Sequence, residues 1–388
     1  MSSALQVRWR HFLWNALRYG IGPLSGLIIT WIVVDRASFS RWGEVVTLMI
    51  WVQLGVHLAQ WGNRELLIRE FGRQRESQWL VLQGMITRVP ILLVVMIPLA
   101  FFAKDLIVPV IAWTALLYIA QAAEPGVIRD KSFSKAALAE LLALSVQLGY
   151  LLLVPVLSVE HILWCFPVAQ GIRALLLHAL IGTFDHLPDP LADMRLHLQQ
   201  GTPFFLSGVS ALLASRADLY VVDALLERTL TGQYQLISSV FVQAQAFSML
   251  LTTPFTRDLY RSPTSAIQRS SVRISRWTLL AMPLLATGCW ILFGPVFGIH
   301  PSPLVIVAGC LATWPSFAYV PLIYPVYRAG MERPVMWANL GAAVLSVSVT
   351  WFLVPRIGLA GGLFGAAIGQ WVMLLVVRKL FSKVHAMS

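Results

Sequence analysis

Charge is scarce in this chain: Asp, Glu, Lys and Arg make up 12% of its 388 residues, while 57% are hydrophobic. No water-soluble domain hides that much apolar surface, so soluble folds are excluded first. Cysteine is nearly missing. Cys165, Cys289 and Cys310 all lie in or beside apolar runs with no CxxC spacing, which excludes a disulfide framework or a thiolate metal centre and leaves packing roles. The 8 histidines are scattered, and there is no HExxH, no GxSxG and no Gly-rich loop ending in Lys-Ser or Lys-Thr. Zinc hydrolysis, serine nucleophile chemistry and ATP-driven pumping lose their signatures, and neither a cofactor nor a metal is expected. A cleavable leader is not expected either: the first apolar run carries Arg18 and has no small-x-small site, so it reads as a spanning helix.

What the chain has in abundance is membrane-length apolar sequence. With about 20 residues per crossing, helices are expected near 12–34, 43–62, 79–103, 106–124, 136–157 and 160–183, then near 201–224, 231–255, 274–298, 303–327, 333–354 and 357–380. The most polar stretch, 183–200, separates the two sets. The expectation is an all-α polytopic membrane protein, with about twelve transmembrane helices in two pseudo-symmetric six-helix bundles around a central cavity. The N-terminal bundle with its linker takes residues 1–190 and the C-terminal bundle residues 191–388. The net charge of +11 would suggest nucleic acid in a soluble protein. Here it lies in short loops and reads as topology instead. With the N-terminus inside, only Arg36, Arg41, Lys104, Arg228 and Arg356 fall in the opposite loops, so both termini are expected to be cytoplasmic. Two inner connections are long and basic, 63–78 and 256–276; the first alternates Leu66, Leu67, Ile68 and Phe71 with charges, an amphipathic pattern suited to the headgroup layer.

Four arginines, Arg18, Arg88, Arg173 and Arg216, sit inside apolar runs. A charged side chain at helix centre costs about 2.5–3.5 kcal/mol even on the insertion scale, so these groups are expected to turn inward. In the seventh helix Arg216, Tyr220 and Asp223 share one face, while Asp218 points nearly opposite and needs another partner. Glu140, Asp218 and Asp223 are the acids within the spans, with Glu124 at a helix end; they are candidates for ion pairing or ion coupling. A planar guanidinium favours bidentate phosphate or carboxylate, so an anionic substrate is expected at Arg216, Arg88, Arg173 and Arg18, with Tyr220 beside them. Asn15, Gln243 and Gln245 are weaker lining candidates. The glycines of GIGPLSG (20–26) and those at 358–369 are expected to permit bending or close helix contact.

Three strings then carry a family resemblance. DRASFSRWGEVVTL (35–48), with its Trp42-Gly43 pair, resembles the entry to the second helix of polysaccharide flippases in the multidrug/oligosaccharidyl-lipid/polysaccharide exporter superfamily. ASRADLYVVDALLERTLTGQYQL (214–236) is similar to the seventh and eighth helices, with Asp218 in the acidic position and Gly232-x-Tyr234 opening the next helix. FLVPRIGLAGGLFGAAIG (352–369) resembles the last helix pair. The resemblance implies an O-antigen type flippase in the bacterial inner membrane. It would move an undecaprenyl-diphosphate-linked oligosaccharide to the outer leaflet by alternating access, driven by a proton or sodium gradient. A polysaccharide polymerase and a chain-length regulator are implied partners, and Arg216, Arg18, Arg88 and Arg173 would hold the diphosphate and acidic sugars. The chain departs from the pattern in having no helices thirteen and fourteen and no acid in helix one before Asp35.

Two other functions are weighed against this. A multidrug antiporter of the same superfamily would want an acidic, aromatic cavity, which four buried arginines oppose. A membrane glycosyltransferase or polymerase would want a substantial outer loop with catalytic groups, and no outer loop exceeds about ten residues in this partition.

Overall fold

Proline and glycine decide where the apolar runs break into rods. The computed structural model describes residues 3–73, 79–182, 194–252, 259 and 262–387, and among these every regular element is helical. Helix α1 runs Ser3–Arg36 and α2 Phe39–Gln60, the latter started by Ser38, whose hydroxyl accepts from the Arg41 N–H. It ends in a left-handed Trp61 and Gly62, φ 41° and 67°. Glycine is required at 62: a Cβ there would strike the Gly201 carbonyl and stand 2.7 Å from the Phe205 nitrogen. An amphipathic helix, α3 (Asn63–Arg73), follows, in place of a plain loop.

The third expected span is two helices, α4 (Trp79–Ile86) and α5 (Val89–Ala103), broken at Thr87–Arg88. Pro90 is the cause: it has no N–H for the Ile86 carbonyl, and its ring crowds that position. Then come α6 (Ile107–Ala122), the short α7 (Glu124–Asp130), α8 (Phe133–Leu153) and α9 (Val159–Ile181). The later helices are α10 (Met194–Leu225), α11 (Arg228–Thr252), α12 (Thr264–Ile291, extended by a π turn at Leu292–Val296), α13 (Pro303–Arg328), α14 (Glu332–Ile357) and α15 (Leu359–Met387). Residues 183–193 of the expected linker lie outside the described residues, and from Met194 onward that stretch is already α10. Part of 256–276 likewise lies outside them, and its basic end, with Arg269, Arg273 and Arg276, is the first half of α12, not a loop.

Eight described stretches are long and apolar enough to cross a membrane, and one of them, Val89–Asp130, holds both α5 and α6. The chain is a multi-pass membrane protein, and it divides into two compact units, Met1–Val209 and Ser210–Ser388, with the division inside α10.

In the first unit α8 packs against α1 and α9, and α6 against α9, over a core that includes Val81, Val127, Ala136 and Leu177. At the loop end of the α1–α2 hairpin, Arg36 donates to the carbonyls of Leu151, Leu152 and Val154, and Arg41 to that of Leu157 at 2.5 Å. The Arg36 guanidinium caps open carbonyls at the end of α8, and Arg41 holds the turn that follows it. In the second unit α15 packs along α13 and α14 over Leu322, Val326, Met373 and Val377. Here the glycine expectation holds. A Cβ at Gly361 would meet the Leu353–Val354 backbone, one at Gly365 would meet Thr350 and the Ser346 carbonyl, and one at Gly362 the Tyr234 ring.

Candidate functional site

The first unit encloses a cavity of about 530 Å³ built from α1, α2, α3, α6, α8, α9 and α10 and the start of α7. Arg18, Gly22 and Ser25 come from α1, His57 and Gln60 from α2, Glu140 and Gln147 from α8, Gln170 and Arg173 from α9, and Phe204, Phe205 and Gly208 from α10; Glu124 opens α7. Gln60 turns one amide N–H away from it, onto the Tyr118 carbonyl at 3.0 Å.

Six charged residues line this cavity, and four of them, Arg18, Arg173, Glu124 and Glu140, meet in a ring, apart from the Arg64–Glu65 pair. Glu124 Oε1 accepts from Arg18 Nη2 at 2.5 Å and from Arg173 Nη2 at 2.6 Å. Glu140 Oε1 lies 2.8 Å from Arg173 Nε and 3.8 Å from Arg18 Nη2. The side chains are 6–19% exposed, so each carboxylate is matched against guanidinium in a largely desolvated setting. The Arg173–Glu140 approach is close but lacks hydrogen-bond alignment, and Arg18 Nε and Arg173 Nε are both buried donors with no hydrogen-bond acceptor among the described residues. Gln170 Oε1 accepts from Arg173 Nη1 at 3.3 Å. Buried pairs of this kind hold together only with good geometry, and removing one member leaves the others uncompensated. Two arginines and two glutamates sum to zero, so the ring is a neutral polar core, not the net-cationic lining that four buried arginines suggest.

The structure brings Arg18, Arg173 and Glu140 together in this cavity. Arg88 is completely buried at the α4–α5 break and does not line the cavity; its Nη1 donates to the Gly84 carbonyl and the Thr87 hydroxyl at 3.0 and 3.1 Å. In the second unit Asp218 is buried and accepts from the Tyr234 hydroxyl, which supplies the partner its helix face demanded. Asp223 pairs with Arg228 at 2.6 Å, one turn on. Arg216 is half-buried, close enough to Asp218, Tyr220 and Tyr234 to interact electrostatically. Gln245 donates to the Ala312 carbonyl, Gln243 is exposed, and the Asn15 side chain lies outside the described residues.

Two features escaped the sequence. Glu124 is the hub of the ring, yet in sequence it is one acid after an apolar run; the signal was the Glu-Pro-Gly step, which starts a new short helix under that run. Of the two roles expected for the glycines of α1, bending or close helix contact, contact is not seen among the described residues: a Cβ at Gly20, Gly22 or Gly26 would meet nothing within 4 Å, and Gly22 borders the cavity.

No protein-family model matches the chain, and no curated protein matches it in sequence. Solved structures do resemble it. One titled "Lipid II flippase MurJ, inward closed conformation" superposes with a TM-score of 0.71 at 11% identity, covering 96% of this chain and 90% of that one. The MATE multidrug transporter DinF-BH gives 0.61 at 15% identity over 99% and 97%. An inward-facing multidrug resistance MATE transporter of the MOP superfamily gives 0.58 at 16% identity over 96% and 99%. At these identities the likeness is one of architecture, and the chain has the all-helical fold those proteins share.

Proposed function

We propose that this protein is a flippase for lipid-linked oligosaccharides, carrying an undecaprenyl-diphosphate-linked repeat unit from the cytoplasmic to the periplasmic leaflet of a bacterial inner membrane by ion-coupled alternating access. The observation that carries the reading is the polar ring inside an otherwise apolar bundle, with Arg18 keeping a buried Nε–H without an acceptor among the described residues and Arg173 Nε set 2.8 Å from Glu140 but out of hydrogen-bond alignment. A diphosphate supplies oxygens in the geometry that guanidinium prefers. Its likeness in fold to a structure titled as a lipid II flippase supports the same substrate class.

Charge balance suggests how cargo and coupling ion are linked. A diphosphate entering the ring competes with Glu124 and Glu140 for the same donors, and the site stays near neutrality if the displaced carboxylates take up protons. Cargo binding would thereby draw protons in, and cargo release would return the carboxylates to the arginines. In this scheme Arg18 and Arg173 bind, Glu124 and Glu140 exchange, and Arg216 with Tyr220 serves the second unit. A polymerase and a chain-length regulator would act on the delivered cargo.

One observation favours a second reading, a multidrug antiporter: the ring offers two carboxylates as readily as two guanidinium groups. A single experiment separates them. In a strain whose surface polysaccharide depends on this protein, Arg173→Gln should abolish surface polymer and leave lipid-linked units on the inner leaflet, with normal membrane insertion. Normal polymer together with lost resistance to a cationic dye would replace the flippase reading by the antiporter.

A further inference from the structure

A second polar pocket, of about 510 Å³, lies in the first unit where α3 packs against α7, lined by Ile68, Phe71, Pro125, Ile128, Arg129, Asp130 and Lys131. Its lining is divided by chemistry. Ile68 and Phe71 come from the apolar face of α3, and Pro125 and Ile128 from α7, while the polar side is the Arg129–Asp130–Lys131 run that ends α7.

Arg129 is the informative residue. Its side chain is 10% exposed, its Nε and Nη2 grip Asp130 at 2.6 and 2.9 Å, and its guanidinium lies over the Phe71 ring, 5.1 Å from the centroid. Its third nitrogen, Nη1, is buried with no hydrogen-bond partner among the described residues, and so is the hydroxyl of Ser132 three residues on. Asp130 is already satisfied by Arg129, so the exposed Lys131 leaves the pocket with a surplus positive charge. An idle guanidinium N–H, a lysine and an apolar floor make one composite surface. It fits a ligand that is anionic at one end and greasy at the other.

We infer that the pocket between α3 and α7 holds the phosphate headgroup of one anionic glycerophospholipid, with Arg129 and Lys131 on the phosphate and Ile68, Phe71 and Ile128 against the first carbons of the chains. An amphipathic helix such as α3 suits the headgroup layer, the depth at which such a lipid presents its phosphate. Bulk attraction to basic loops does not account for the site, because loop charges attract lipid without a buried, unpartnered donor. The site is separate from the charged ring, and lipid binding here does not depend on what the protein transports.

The full-length protein is reconstituted in nanodiscs of phosphatidylcholine with or without phosphatidylglycerol, and retained lipid is counted by native mass spectrometry alongside a thermal melt. One tightly held phosphatidylglycerol and a higher melting temperature are expected for the unmodified chain. Arg129→Gln should weaken retention roughly tenfold, the worth of one charge-assisted hydrogen bond, and Lys131→Gln roughly threefold, as suits an exposed charge. Lys135→Gln, exposed and outside the pocket, should retain lipid normally. If Arg129→Gln fails to fold, Ile68→Glu at a half-buried position puts a carboxylate beside the phosphate and should abolish retention. Retention unchanged in Lys131→Gln and in either Arg129→Gln or Ile68→Glu would overturn the assignment. Equal protection by inorganic phosphate in pure phosphatidylcholine would overturn it too, since the pocket would then take free phosphate and not lipid.

Discussion

Helices α1 and α15 are both rich in glycine, and they use it in opposite ways. In α15, Gly361, Gly362 and Gly365 press against the backbone and side chains of neighbouring helices, and the small residues close the second unit. In α1, Gly20, Gly22 and Gly26 face empty space, and Gly22 borders a cavity. One spacing of small residues thus seals one bundle and leaves room in the other. The buried charges follow the same division. Those of the second unit are tied off locally, Asp218 by Tyr234 and Asp223 by Arg228, whereas Arg18, Arg173, Glu124 and Glu140 converge around an opening.

The sharpest way to break this contrast is to remove the hub of the open side. Glu124→Ala leaves Arg18 and Arg173 facing each other with only Glu140, and is expected to cost about 3–5 kcal/mol of stability; a thermal melt of the purified protein reads this, and a loss below about 1 kcal/mol would mean that the guanidinium groups find water or another acceptor. On the closed side, Gly365→Ala forces a methyl into Thr350 and the Ser346 carbonyl and should cost about 1–3 kcal/mol; an unchanged melting temperature would show that α14 and α15 are less tightly apposed than their contacts indicate. Arg36→Gln removes donors to three carbonyls at the end of α8. Because Arg36 is exposed, about 1 kcal/mol is expected, and faster amide exchange confined to 151–157 would locate it. The smallest effect has the opposite sign. Gly22→Ala has room for its methyl and should stabilise α1 by about 0.5–1 kcal/mol while narrowing the cavity, so a variant that melts higher and transports less would set α1 apart from α15.

The order of the long helices was readable from the apolar runs alone, because a bilayer leaves the backbone almost no other way to satisfy its hydrogen bonds, whereas the short α3 and α7 and the split of the third run into α4 and α5 were not. The break at Thr87–Arg88 was readable in principle from Pro90, but the apolar run hid it: Val89 to Ala103 continues the hydrophobicity without pause. The site was harder. Arg18, Arg173 and Glu140 were identified from the cost of burying charge, which is local. Their meeting at Glu124 depends on how α1, α8 and α9 pack, and no spacing along one helix encodes that. Arg88 illustrates the same limit from the other side. Its Nη1 is held by the Gly84 carbonyl and the Thr87 hydroxyl within its own turn, its Nε and Nη2 have no partner among the described residues, and it does not line the cavity, so a deep arginine is not by itself a cavity arginine.

The clasp of Arg36 and Arg41 on the 151–157 segment has a mechanical corollary. Arg18 rides on α1 and Glu140 on α8, and Arg36 fastens the C-terminal ends of these two helices together by charge-assisted bonds to bare carbonyls. Tilting one therefore drags the other, and a gap between Arg18 and Glu140 opens most readily at the end opposite this clasp. The clasp behaves as the rivet of a pair of tongs, with the jaws set among the charges.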